Sequence, residues 1–122
     1  MCKVIAVRGA TTLTKDEPEE LDLKVKELVS EILTRNSIKK EQIISAIVTA
    51  TVDIKCKYPA TAARLGGLDD VPIIGAQEVD AKNGLPLCVR VMLHVQLDEE
   101  HAALDAVYLH EAKKLRPDLN LS

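Results

Sequence analysis

"LPLCVRVMLHVQL", residues 85–97, decides how the rest of the chain is read. Side chains alternate along a strand, so Leu87, Val89, Val91, Leu93, Val95 and Leu97 all point one way and form a uniformly apolar face that belongs under helices. The other face carries Cys88, Arg90, Met92, His94 and Gln96. That set is too apolar for free solvent and too polar for a dry core, and it suits a subunit interface or the wall of a ligand cleft. Arg90 is the anomaly, because a guanidinium never gives up its charge.

Working outward, "VPIIGAQEV" (71–79) reads as the preceding strand, with Gly75 marking a bulge or a close approach by another group. "DAKNGLP" (80–86) contains Asn83-Gly84, a hairpin signal that predicts these two strands as antiparallel neighbours. Further back, "KYPATAARLGG" (57–67) offers Pro59 for a helix start, alanines for its body and a double glycine for its stop. "SIKKEQIISAIVTATVD" (37–53) predicts one helical turn around Lys39 to Gln42, then a strand from Ile43 to Val52.

Leu21, Val25, Leu28, Val29, Ile32 and Leu33 recur at three- and four-residue steps. They predict a long amphipathic helix from Asp16 to near Asn36, with acids at its positive start. "KVIAVRGATT" (3–12) predicts a first strand that stops at Gly9, with Arg8 at its exit. At the other end, Asp98 can cap a helix whose Leu104, Val107, Tyr108, Ala112 and Leu115 share one stripe before Pro117 ends it. The order β, α, β, α, β, β, α predicts an α+β fold, a mixed sheet with its helices on one face.

The 122 residues predict a single domain over 1–122, with no internal repeat or linker. A net charge of −3 gives no basic excess for nucleic acid or an anionic membrane. With two Tyr and no Phe or Trp, there is almost nothing from which to build base-stacking platforms. Cys2, Cys56 and Cys88 form neither a disulfide framework nor a zinc knuckle, which fits a reducing, cytoplasmic setting. No run approaches a membrane span of about 20 apolar residues, and "MCKVIAVRGA" lacks the apolar core of a signal peptide. His94, His101 and His110 are scattered, the last two expected on opposite faces of the final helix, so metal sites and Ser-His-Asp chemistry lack their parts.

For Arg90 two readings stand side by side: a salt bridge to Glu78 across the Asn-Gly hairpin, or a grip on a ligand. Arg8, a second arginine beside a glycine, weighs toward the ligand, since guanidinium groups bind carboxylates bidentately. Lys113, Lys114 and Arg116 read first as favourable charge in a helix's last turn, and Tyr108 as core with a hydroxyl that needs a partner.

"VRGATT" (7–12), "YPATAAR" (58–64), "VPIIGAQEV" (71–79), "CVRVM" (88–92) and "VYLHEAKKLRPDL" (107–119) together resemble the AroH class of monofunctional chorismate mutases, the bacillary type. The resemblance spans almost the whole chain. It implies a homotrimer with a pseudo-α/β-barrel core, active sites between subunits, and rearrangement of chorismate to prephenate without cofactor or metal. It also implies roles. Arg8 would hold a substrate carboxylate, Arg90 the ether oxygen and a carboxylate, Glu78 the ring hydroxyl, and Tyr108 the side-chain carboxylate. Tyr58, Ala60 and Arg64 would line the entrance, and Leu115 and Arg116 would close over it. Ile74 and Gly75 stand where well-known members carry threonine and cysteine, so only their backbone can serve the substrate there. Thr61 stands for an entrance lysine and Tyr58 for phenylalanine. A rival of similar architecture is a trimeric carboxylate-binding or imine-handling protein of the Rid kind.

Overall fold

The computed structural model describes residues 1–115. Five strands, β1 (Cys2–Thr12), β2 (Ile43–Ala50), β3 (Ile73–Gln77), β4 (Cys88–Asp98) and β5 (Val107–Tyr108), form one mixed sheet in the order β3-β2-β4-β1-β5. Two helices, α1 (Pro18–Arg35) and α2 (Pro59–Ala63), lie in the first and second crossovers. The α+β architecture is the expected one.

Helix α1 forms where its periodicity places it. Pro18 opens it at a position where a missing N–H costs nothing. Glu20 turns back to accept the backbone N–H groups of Thr14 at 2.6 Å and Lys15 at 3.1 Å, fixing the incoming loop. Leu21, Val25, Leu28, Val29 and Ile32 are buried, and Asn36 ends the helix. The Asn36 amide donates to the carbonyls of Ile32 (2.9 Å) and Asp105 (3.0 Å) and accepts from the N–H of Asp105 (2.7 Å), tying the helix end to the C-terminal segment.

The apolar stripe of α1 packs in one core with Val7, Val48, Val89, Val91, Leu93, Val95 and Leu97. The inner face of β4 is therefore as its alternation predicts. Gly9 permits this contact, because a Cβ there would lie 2.6 Å from Ile32 Cδ1 and 3.0 Å from Leu28 Cδ1. Gly9 does not end the first strand. Strand β1 runs through it and pairs with β4 along its full length, from Cys2 with Asp98 to Thr12 with Cys88. Arg8 consequently lies inside the strand rather than at its exit.

Three further expectations are overturned. β3 and β4 are not neighbours: β2 lies between them, parallel to β3 and antiparallel to β4. Asn83 does take a left-handed conformation, φ 68°, and the N–H of Gly84 donates to the carbonyl of Ala81. That turn sits in a crossover, not a hairpin. Gly75 marks no bulge, and no atom of its own chain approaches it tightly. The β2–β3 register is unbroken across it, and an added Cβ would meet Val48 O at 3.5 Å and Ala60 Cβ at 3.6 Å, both ordinary contacts. The irregularity falls instead in β2, between Ile43 and Ser45.

Nor does Asp98 cap a final helix, since it is the last residue of β4. Val107 and Tyr108 add to the edge of β1 as β5, opposite Gly9 and Ala10, and the N–H of Leu109 donates to the carbonyl of Ala10 at 2.9 Å. His110, at φ 54°, then starts a 3-10 turn through Leu115. His101 lies in the loop after β4, bonded to the carbonyls of Ala102 and Ser37, so no helix carries the two histidines on opposite faces. The expected stop at Pro117 lies outside the described residues. The smaller predictions hold. A 3-10 turn covers Lys40–Gln42, and α2 starts at Pro59 and widens into a π turn over Arg64–Leu68, where Gly67 takes φ 123°. No described helix is long and apolar enough to cross a membrane.

Candidate active site

The strand register fixes which side chains share the face away from α1. Arg90 on β4 lies opposite Ala10 on β1 and Thr49 on β2. Arg8 lies opposite Met92, one diagonal step from Arg90, a distance long side chains span. Tyr108 pairs with Ala10 on the same face and is only 6% exposed. Beneath these residues, Ala10, Cys88, Tyr108 and Ala112 form a second, smaller apolar cluster with Leu115 packed against it. It gives the arginines a low-dielectric floor.

Glu78 reaches this face by a different route. Its N–H donates to the carbonyl of Ala50 at 2.9 Å, continuing the β2–β3 ladder one residue past Gln77. Its carboxylate accepts the Thr49 hydroxyl at Oε2, and the same oxygen lies 3.5 Å from Arg90 Nε. The expected Arg90–Glu78 pair therefore exists, but across β2 rather than across a hairpin. With the arginine side chain 50% exposed and the glutamate 27%, it is a loose pair in contact with solvent, of the kind worth about 1 kcal/mol or less. Arg8 shares the face with Arg90, and Glu78 is the carboxylate within salt-bridge distance of Arg90. Burial pushes the Cys88 thiol up, with Arg90 only partly offsetting it, so Cys88 stays neutral and adds no counter-charge.

The other expected site residues lie elsewhere in the chain. Tyr58, Ala60, Arg64 and Gly75 line a cleft of about 820 Å³ between the 51–58 loop, α2 and β3, together with Lys55 and Lys57. Tyr58 stands 80% exposed at its mouth. Ile74, though adjacent to Gly75, points to the bare sheet face and is 68% exposed. The sheet face thus carries Arg8, Ile74, Arg90 and Tyr108, with Glu78 against Arg90 and Leu115 on the apolar cluster, while Tyr58, Ala60, Arg64 and Gly75 line the cleft. Arg116 lies outside the described residues.

Two contributors escaped the sequence reading. Thr49 was only one β-former among several in its strand. Asp53 accepts the N–H of Leu87 at 3.0 Å and the Thr51 hydroxyl at 2.5 Å. It thereby holds Leu87 in a left-handed conformation, φ 49°, where β4 begins. An Asp two residues after a Thr near a strand end was the available signal, since such pairs bond locally to the backbone. Among the described residues, no group of three His, Cys, Asp or Glu side chains is placed to hold a metal ion.

Fold and site define a class: an α+β protein with a bare sheet face that presents two arginines and one held carboxylate over a buried apolar floor. The family model for chorismate mutase type I matches residues 4–119, and the chain belongs to that family. It is 40% identical over 117 residues to chorismate mutase AroH of Bacillus subtilis (strain 168), covering 95% of this chain and 92% of that protein. Against chorismate mutase AroH of Thermus thermophilus it is 38% identical over 117 residues, 95% of this chain and 96% of that one. The solved structure of a chorismate mutase from Clostridium thermocellum superposes with a TM-score of 0.83 at 34% identity, covering 90% of this chain and 98% of that chain.

Proposed function

We propose that this protein is a chorismate mutase, converting chorismate to prephenate in a cytoplasmic homotrimer whose active sites lie between subunits. The observation that carries the reading is Arg90: a guanidinium on a sheet face, loosely held by Glu78, with Arg8 alongside and a buried apolar floor below.

The chemistry asks for little else. A pericyclic rearrangement makes one carbon–carbon bond and breaks one carbon–oxygen bond within a single molecule, so no nucleophile or proton relay is required. Two contributions remain for the protein. One is confinement of a flexible dianion in its reactive shape, supplied by Arg8 and Tyr108 on its carboxylates and Glu78 on its ring hydroxyl. The other is a fixed positive charge where negative charge grows on the ether oxygen, supplied by Arg90. The backbone at Ile74 and Gly75 would serve the ring side of the substrate, and Leu115 would help to close the pocket.

Assembly is supported by two features. Ile74 and Val79 stand 68% and 86% exposed beside half-buried Ile47 and Met92, an apolar surface that a second copy would cover. The Tyr58, Ala60 and Arg64 group lacks the arginine pair of the sheet face. A neighbour's cleft laid against that face would complete the site. The deciding experiment follows chorismate disappearance and prephenate formation with purified protein, alongside sedimentation to give the oligomeric state. Acceleration over buffer by a trimer is the expected result, and conversion no faster than buffer overturns the reading.

A further inference from the structure

We infer that Thr49 is a positioning residue, one that sets which oxygen of Glu78 meets the ligand. The inference rests on the reading above and extends it to a residue without a role in it. Thr49 sits on β2 with Arg90 as its partner on β4 and Ala76 as its partner on β3, so its side chain stands between the arginine and the strand that leads into Glu78. An ionised carboxylate can only accept, so the Thr49 hydroxyl is the donor. It donates to Oε2, the oxygen that also faces Arg90 Nε. Among the described residues no hydrogen bond reaches Oε1.

The consequence is a division of labour within one carboxylate. The Thr49 hydroxyl bond fixes Oε2 beside the Arg90 charge, while the bond from the Glu78 N–H to Ala50 fixes its backbone on the strand that carries Thr49. Oε1 is left to accept a hydroxyl from the ligand. Without the Thr49 hydroxyl, Arg90 alone would hold Oε2, and the carboxylate could rotate to chelate the guanidinium with both oxygens. That competing arrangement would occupy the acceptor the ligand needs and the charge its ether oxygen needs.

Thr49→Val tests this, because valine keeps the β-branched shape and strand preference while removing the donor. The variant should lower kcat/KM roughly ten-fold, the size of one hydrogen bond to a charged group, and Thr49→Ser should restore most of it. The discriminating measurement is a double-mutant cycle with Glu78→Ala, scored on kcat/KM and, independently of turnover, on prephenate affinity by calorimetry. If Thr49 acts through Glu78, Thr49→Val has no further effect once Glu78 is alanine. An equal loss in both backgrounds means Thr49 serves the strand generally, and no loss in the wild-type background means it holds nothing of consequence. Either result overturns the inference while wild-type conversion persists. A wild type that neither binds prephenate nor converts chorismate removes the functional reading itself, and the inference with it.

Discussion

The two faces of the sheet are built by different rules, and β4 shows both at once. On its inner side Val89, Val91, Leu93, Val95 and Leu97 are buried under α1, each replaceable only at the cost of packing. On its outer side Cys88, Arg90, Met92 and His94 range from buried to half-exposed, and the charged member is loosely paired with Glu78. Stability is concentrated on one surface of the strand and chemistry on the other. Substitutions one or three residues apart should therefore have unrelated consequences.

The inner face is the place to break that contrast hardest. Leu93→Ala should lose about 2.7 to 5 kcal/mol of unfolding free energy, the range for a buried leucine that leaves a cavity. Urea denaturation measures it, and whatever folded fraction remains should turn over chorismate normally. Arg90→Ala should do the reverse, leaving the denaturation midpoint nearly unchanged while costing about 2.7 to 4 kcal/mol of transition-state stabilisation, read as kcat/KM. Arg90→Lys should not restore it, because an ammonium lacks the planar fork. Arg64→Ala, at the cleft mouth, should raise KM several-fold at most with kcat little changed. A kcat loss there rivalling that of Arg90→Ala would mean the two arginines share the reacting centre.

The smallest effect lies away from both faces. The Asp16 carboxyl is held below its ordinary value first by the Cys56 thiol and then by the Lys55 N–H, with the Cys56 N–H at 3.1 Å adding to them. A lowered folded value means this contribution is present above the ordinary carboxylate range and fades as pH falls through the folded value. Thermal melts between neutral and strongly acidic pH should show Asp16→Asn with a shallower acid decline than wild type. Identical slopes would assign the acid sensitivity to other carboxylates.

What the sequence could say followed from how local each signal was. The α1 stripe and the alternation of β4 extend over many residues and name their buried faces correctly. Asn83-Gly84 correctly marked a turn, yet turn chemistry carries no information about which strands pair, and β2 took the place beside β4. The final stripe of Leu104, Val107, Tyr108 and Ala112 fits a helix equally well on paper. What prevails is the open edge of β1: a helix would satisfy its own backbone but leave that edge unpaired, whereas Val107, Tyr108 and Leu109 give it ladder partners. Arg90 could be singled out because charge inside a strand is unusual, Arg8 as a second arginine beside a glycine, and Glu78 as the acid able to pair with Arg90. Thr49 could not, since a threonine in a strand is ordinary until its neighbour is known.

The pairing of β1 with β4 also governs how the molecule comes into being. Cys2 lies opposite Asp98 and Thr12 opposite Cys88, so the middle of the sheet joins residues separated by most of the chain. Such non-local pairing carries a large loop-closure entropy and places a domain among the slower two-state folders, on the order of milliseconds to seconds. During synthesis the first strand must wait, unpaired, until β4 has emerged. Arg8 and Arg90 meet only at that late step, so the anion site and the finished sheet form together.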